Sequence, residues 1–363
     1  RDNLSLPFIP GREEDTEENR EFKERVRMFQ YLIAANEGDN NKEIIWGQRI
    51  SIDGNNGSGE ATSWRLPNKV VKRSNGIYEG GWAGDAPTLY SVQHFYTENG
   101  KLPEKDPEFY SEDQWYTRFY EGTQSPALAT NNLDGEDVKN DIIKMHAKRE
   151  ARFYAWIAFD GCQYSPKINN GGPLWLNLKN TSNTRNCVGA GYLTKKFIDP
   201  NTYYGADGTK TWTAIRRPLF RMAELYLNLA ECYAALDNTG EALSNLNEVR
   251  RRAGFDDLTE GDITADMTLT DWVRNERFVE LFEEGHRYYD VRRWMIAPQM
   301  LKAGARYGLD GLRVNPSFEN FNKPTLINQP FKWDDRLYLL PVWSRTGMDE
   351  LYSNPQLVQA PGY

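Results

Sequence analysis

The sequence predicts a mainly α-helical chain: tetratricopeptide-like helical hairpins with a large, loop-rich and aromatic-rich region packed on them. Three observations predict it. Residues 217–294 carry helical periodicity with starting and stopping residues in place. Between Thr211 and Trp294 there are eleven arginines and no lysine, and arginine favours planar, bidentate carboxylate pairs that survive partial burial. Residues 78–120 hold eleven aromatics interrupted by Gly and Pro, the composition of loops and short helices. The expected organisation is a ligand-binding region at 1–216, a helical scaffold at 217–297 and an irregular segment at 298–363 that packs back on the scaffold, all in one compact domain.

Taken in order, residues 1–21 are polar, with Pro7, Pro10 and Gly11, and read as an irregular lead-in. Phe22, Val26, Phe29 and Ile33 recur at helical spacing and predict a helix over 22–35. KEIIWGQRISI, at 42–52, contains a strand. DGNNGSGE, at 53–60, is a turn; Gly57 stands where an EF-hand places a ligating side chain, so no metal is expected. A helix is expected within 131–158, through KNDIIKMHAKREARFYAWIAF. Residues 160–213, rich in Gly, Asn, Thr and Tyr, read as loop with short strands.

The scaffold follows. Its first helix is expected to open with Pro218 near the first position, where a missing N–H is harmless. Arg221, Glu224, Asn228 and Glu231 draw one polar stripe on an otherwise apolar cylinder, which predicts packing on all other sides. Cys232 is expected to be a small core residue. DNTG turns the chain, and a second helix puts Ala242, Leu243, Leu246, Val249 and Ala253 on one face. Arg250–Arg252 and then Gly254 end it in keeping with the dipole and the cap. The two form an αα-hairpin of tetratricopeptide type, and one copy cannot bury its own face. A third helix begins near Thr268, with Phe278, Leu281, Phe282, Gly285 and Tyr289 on one face. Gly285 either breaks it or admits another backbone. A short apolar run, RLYLLPVW, and a proline-punctuated tail close the chain.

Composition narrows the function. The formal charge of −8, without a basic patch, speaks against nucleic acid. No apolar run reaches transmembrane length. The three cysteines have no metal or disulfide spacing. No catalytic motif is present. His94, His146 and His286 are isolated, and His286, beside Glu284 and Arg287, is expected to be structural. Glu276 and Glu280 are candidates for a glycosidase carboxylate pair, but their arginine-dense setting favours structural ion pairs that hold both ionised. No cofactor is expected. The positive signal is the aromatic segment, because flat rings stack on sugar faces or peptide groups while Asn, Asp and Arg satisfy hydroxyls or amides. The same rings serve equally to seal loops onto helices. The candidate contacts are Trp82, Tyr110, Trp115, Tyr116 and Tyr120.

RPLFRMAELYLNLAE, LNEVRRRAG, RNERFVELFEEGHRYYDVRRW and NPQLVQAPGY resemble the SusD/RagB family, nutrient-binding outer-membrane lipoproteins of Bacteroidetes. GGWAGDAPTLYSVQHFYTENGK is similar to a further family segment, with Asn99 in place of the usual Asp. REARF is similar to another, with Glu150 and Ala151 substituted, and GYLTKKFIDP to a third. The resemblance covers nearly the whole chain in order. It implies a tetratricopeptide-like fold and non-catalytic binding of oligosaccharides, or in some members peptides, at the cell surface. It also implies a SusC-type TonB-dependent transporter as partner. Family members carry a lipid anchor and N-terminal helices that this sequence does not show, so a further N-terminal segment is an expected partner. The alternatives are a peptide-binding member, an α-helical glycoside hydrolase and a tetratricopeptide-type protein-interaction scaffold.

Overall fold

A computed structural model of the chain describes residues 17–34, 41–49, 65–119 (without 68, 74 and 75), 142–168 (without 166), 189–204, 210–211, 216–301 and 306–340 (without 314–315 and 328–331), with a few single positions besides. The 53–60 turn and Tyr120 lie outside them. Helix α1 (Glu17–Ile33) contains the expected apolar face, and Val26, Phe29, Leu32 and Ile33 are buried. It packs on α3 (Ala151–Trp156), where the Phe29 ring meets Trp156 edge-on at 5.5 Å. Between them, Thr88 caps the short α2 (Leu89–His94) by accepting from the Ser91 N–H.

Two expectations about where helices form are corrected. Of the stretch 139–159 the described residues are 142–159, and among them only Ala151–Trp156 form an α-helix. Ile142–Ile143 is a strand paired with Arg118–Phe119 and followed by a 3-10 turn at Lys144–His146, and Ile157–Phe159 is a strand paired with Tyr192–Thr194. Lys148 turns to φ +51° and the Arg149 guanidinium is drawn into the core, where it donates to the carbonyls of Met145, Val92, Phe95 and Tyr96. Those bonds outweigh local helix propensity. Likewise, Pro218 opens no helix. It lies in a strand, Arg216–Arg221, paired antiparallel with Ile44–Arg49, opposite Gly47. An edge position tolerates a missing N–H. Arg221 stays extended at the junction because Glu280, Glu284 and Glu43 hold its guanidinium, and α4 (Met222–Ala235) starts one residue later.

Helix α4 and α5 (Thr239–Ala253) form the hairpin. Asn238 caps α5, and Gly254, at φ +97°, ends it with the Phe255 and Gly254 N–H groups returning to Arg250 and Arg251, a Schellman arrangement. Of α4, Ala223, Leu227 and Ala230 are buried, while Leu229 and Cys232 are exposed, as is Leu236 just past its end. The expected core role of Cys232 is therefore corrected: α5 and α6 (Leu269–Glu280) cover one side of α4 only. The polar stripe of α4 reaches α6 through Asn228, which accepts from Arg277, and the end of α7 (His286–Arg293) through Glu231, which accepts from Arg293 and Trp294. Thr268 and Asp271 make a reciprocal capping box at α6. Gly285, at φ +92° with open space around it, breaks the chain between α6 and α7.

One hydrophobic cluster runs from Val26 to Phe321, and an ion network lies inside it. Arg152 donates to Glu150, Glu276 and Glu280 at 2.6–2.9 Å, with all four side chains fully buried. Arg221 and Arg252 also reach Glu280, and Lys196 holds Glu284 at 2.7 Å. These are the arginine–acid pairs expected of the scaffold.

Two histidines are held neutral in the same core. His94 lies against Tyr90 and Phe278 (ring centroids 4.0 and 5.4 Å apart), and burial pulls its pKa down to about 4. His146, stacked on Phe159, is likewise held well below the usual range by burial. Such a group contributes stability above its unfolded pKa, near 6.5, that is lost as pH falls through the folded value. Unfolding free energy is therefore expected to rise with pH between 4 and 6.5. His94→Gln is expected to flatten that slope by up to about 1.4 kcal/mol per pH unit, read from urea midpoints at pH 4.5, 5.5 and 7. An unchanged slope refutes a neutral His94.

Candidate functional site

The aromatic segment folds as a layer of short turns. Trp115 is buried, and its indole N–H donates to the Tyr110 carbonyl at 2.7 Å. It therefore supports the layer from beneath, where the sequence had suggested a ring open to ligand. Tyr110 is half-buried, edge-on to Phe109 and Phe119, with the Lys144 and Lys148 ammonium groups 5.2 and 5.7 Å from its ring. Tyr116 is half-buried, its hydroxyl accepts from Gln93 at 3.1 Å, and burial raises its pKa. Asn99 donates to Asp106 and Glu108 and so holds the neighbouring turn. Trp82 is half-buried in a different stretch, just before Ala83, whose φ is +48°.

That second stretch leads to a cavity of about 500 Å3 that the sequence reading missed. Its floor is the α6–α7 break and its far wall is Arg65 with Gly84–Ala86. On that wall Arg65 lies 3.3 Å from Asp85 and 3.6 Å from Glu283. Burial raises the Glu283 carboxyl despite Arg65, and Glu283 sits at φ +60°, a strained conformation for a residue with a Cβ. Across the cavity Arg277 is bound to Asp290 at 2.7 Å and Asn228 at 2.6 Å. His286 lies 3.6 Å from Glu224, and burial lowers its pKa, which keeps the ring neutral near pH 7. Arg287 stacks over Phe278 at 4.3 Å and donates to the Tyr90 hydroxyl at 3.1 Å. The sequence signal for this site is the glycine followed by a run of charged and aromatic residues in EGHRYYD.

Helix α2 joins the cavity to the aromatic layer. Tyr90 bonds Arg287 and Gln93 bonds Tyr116, and side chains three apart on a helix are neighbours. The glycosidase pair weighed from sequence is elsewhere. Glu276 and Glu280 are fully buried, bound by arginines, and do not line the cavity. Burial works to raise the Glu280 carboxyl, but Arg252, Arg221 and Arg152 outweigh it and hold it well below the usual range; such a group is no general acid. Among the described residues no group of three or more His, Cys, Asp or Glu is placed to hold a metal, and no helix is long and apolar enough to cross a membrane.

Residues 42–363 match the SusD family model. Over 82 residues, 22% of this chain and 15% of that protein, the sequence is 38% identical to the SusD-like protein P25 of Formosa agariphila. Among solved structures the chain is similar over its full length to selenomethionine BT4246, at 44% identity and a TM-score of 0.81. It is also similar over 93% of its length to a SusD-like protein of Bacteroides fragilis, at 26% identity and a TM-score of 0.65. It spans 59% and 57% of those two structures, and so little more than half the length of its solved relatives.

Proposed function

Because the chain belongs to the SusD family, we propose that it binds oligosaccharides at the outer face of the outer membrane, without catalysing their conversion, and passes them to a SusC-type TonB-dependent transporter. Members of the family are cell-surface nutrient-binding lipoproteins and are in general non-catalytic. The observation that carries the reading is the polar, partly aromatic cavity joined through α2 to the layer of half-buried tyrosines. Its volume lies in the range of small-ligand sites, and its ion-paired walls offer fixed acceptors and donors to hydroxyls. In this reading Trp82, Tyr110 and Tyr116 contact the ligand, Trp115 supports Tyr110, and Tyr120 belongs to the same strip of sequence.

The test is a titration of the whole chain with soluble oligosaccharides and short peptides side by side, followed by calorimetry and tryptophan fluorescence. At least one oligosaccharide class is expected to bind saturably and without product release. Trp82→Ala and Tyr116→Ala are each expected to weaken it roughly threefold to tenfold, the worth of one aromatic contact, at unchanged melting temperature. Binding of peptides alone would replace this reading with the peptide-binding one. Release of shortened sugars would replace it with a hydrolase.

A further inference from the structure

The cavity at the α6–α7 break holds a cation with no carboxylate at ion-pair distance among the described residues, and we propose that Arg287 there receives an oxyanion group of the ligand, the carboxylate of a uronic acid or a sulfate ester. The proposal deepens the saccharide reading and rests on it.

The other charges of the cavity are committed. Arg277 is engaged by Asp290 and Asn228, and Asp290 is shared with Arg293 at 2.9 Å. Arg65 faces Asp85 and Glu283. Arg287 makes one hydrogen bond, from Nη2 to the Tyr90 hydroxyl, and no ion pair among the described residues. That hydroxyl in turn points its own proton at the Met300 sulfur, 3.0 Å away, so Tyr90 orients the guanidinium without neutralising it. Stacking on Phe278 fixes the plane of the fork. A planar guanidinium held in this way is set up to bind a carboxylate or sulfate through two parallel bonds. Burial works against its charge and outweighs the help it gets from Tyr90 and from the more distant Asp290, which is bound to Arg277, a remaining cost that a bound anion offsets.

The cavity is also polarised. Asp85 and Glu283 both face Arg65, with Arg217 and Lys196 also acting on Glu283, so the cavity presents these two carboxylates as acceptors beside Arg65 and, at Arg287, a cation without an ion pair among the described residues. A free inorganic anion would satisfy one wall only. A sugar with one anionic group and several hydroxyls fits both: its oxyanion on Arg287, its hydroxyl protons donated to Asp85 and Glu283. Tyr288, exposed at the rim, offers an apolar face to the ring.

The experiment compares, by calorimetry on the whole chain, a neutral oligosaccharide with its uronate and its sulfated counterparts, with inorganic sulfate and triglycine alongside. At least one acidic sugar is expected to bind roughly tenfold tighter than the neutral one, the worth of a charged hydrogen-bond pair. The uronate and sulfate arms distinguish the two sources of the anion. The preference is expected to shrink with added salt and to vanish in Arg287→Gln. If that variant fails to fold, Arg287→Lys decides, because it keeps the charge without the fork and is expected to lose most of the preference. Equal affinity for neutral and acidic sugars, a preference that survives both substitutions, or tighter binding of triglycine or sulfate than of any acidic sugar overturns the inference. With equal affinities the oligosaccharide reading still stands; absence of binding by any sugar defeats both.

Discussion

Glu280→Ala is expected to lower the melting temperature by roughly 5–10 °C, the equivalent of about 3–5 kcal/mol for breaking a buried ion network from one side. The carboxylate has no exposed side-chain surface and accepts from Arg152, Arg221 and Arg252. Its removal leaves three guanidinium groups in the core with less anion than they need. Each was desolvated on folding, and only the carboxylates offset that cost. Glu280→Gln keeps the shape and removes the charge, so it is expected to fall nearly as far. A large loss for Ala with none for Gln would mean that packing, and not charge, is what Glu280 supplies. The same network predicts an acid limb. Burial works to raise Glu280, Glu284 and Glu43, but neighbouring arginines, joined at Glu284 by Lys196, outweigh it and hold all three below the usual range. Their contribution is complete above the unfolded carboxylate pKa, near 4.3, and is lost as pH falls through the lower folded values. In Glu280→Ala the loss of stability below pH 4 is therefore expected to be shallower.

Arg149→Met is expected to cost a comparable amount, about 3–5 kcal/mol, by leaving buried carbonyls without donors. The guanidinium is fully buried and has no carboxylate bonded to it. It serves four carbonyls at 2.6–3.2 Å, and two of them, Val92 and Phe95, lie at the C-terminal end of α2. A cation there also suits the helix dipole. Burial brings its pKa down to about 10, so it remains charged at neutral pH. Lysine has three donors on a single nitrogen and cannot span the four carbonyls; Arg149→Lys is expected to recover little. Because α2 carries Tyr90 and Gln93, amide exchange at residues 92–96 is expected to speed up in Arg149→Met, and ligand affinity to fall with it. A melting temperature within 2 °C of the parent, an interval on the order of 1 kcal/mol or less, would refute the role of Arg149 as the pin of α2.

The sequence by itself determined what depends on residues close together in the chain. The end of α5 follows from Gly254 and the start of α6 from Thr268, because caps and left-handed turns are local chemistry; Gly285 left a break or a close approach open, and the structure has the break. The long arginine–acid motif was enough to identify the family. Tertiary structure alone decided the rest. Pro218 became an edge strand because three distant carboxylates hold Arg221 extended, and the helix expected through residues 139–159 gave way because Arg149 had carbonyls to serve more than fifty residues away. Trp115 turned inward because its indole N–H finds the Tyr110 carbonyl. The cavity joins Arg65 and Asp85 to Glu283 and Arg287, about two hundred residues apart, and Arg287 is recognisable as unpaired only once every neighbouring carboxylate has been assigned its partner. Periodicity reports which residues favour a helix, but it carries no record of which charges meet, and in this chain those meetings set the scaffold and the site.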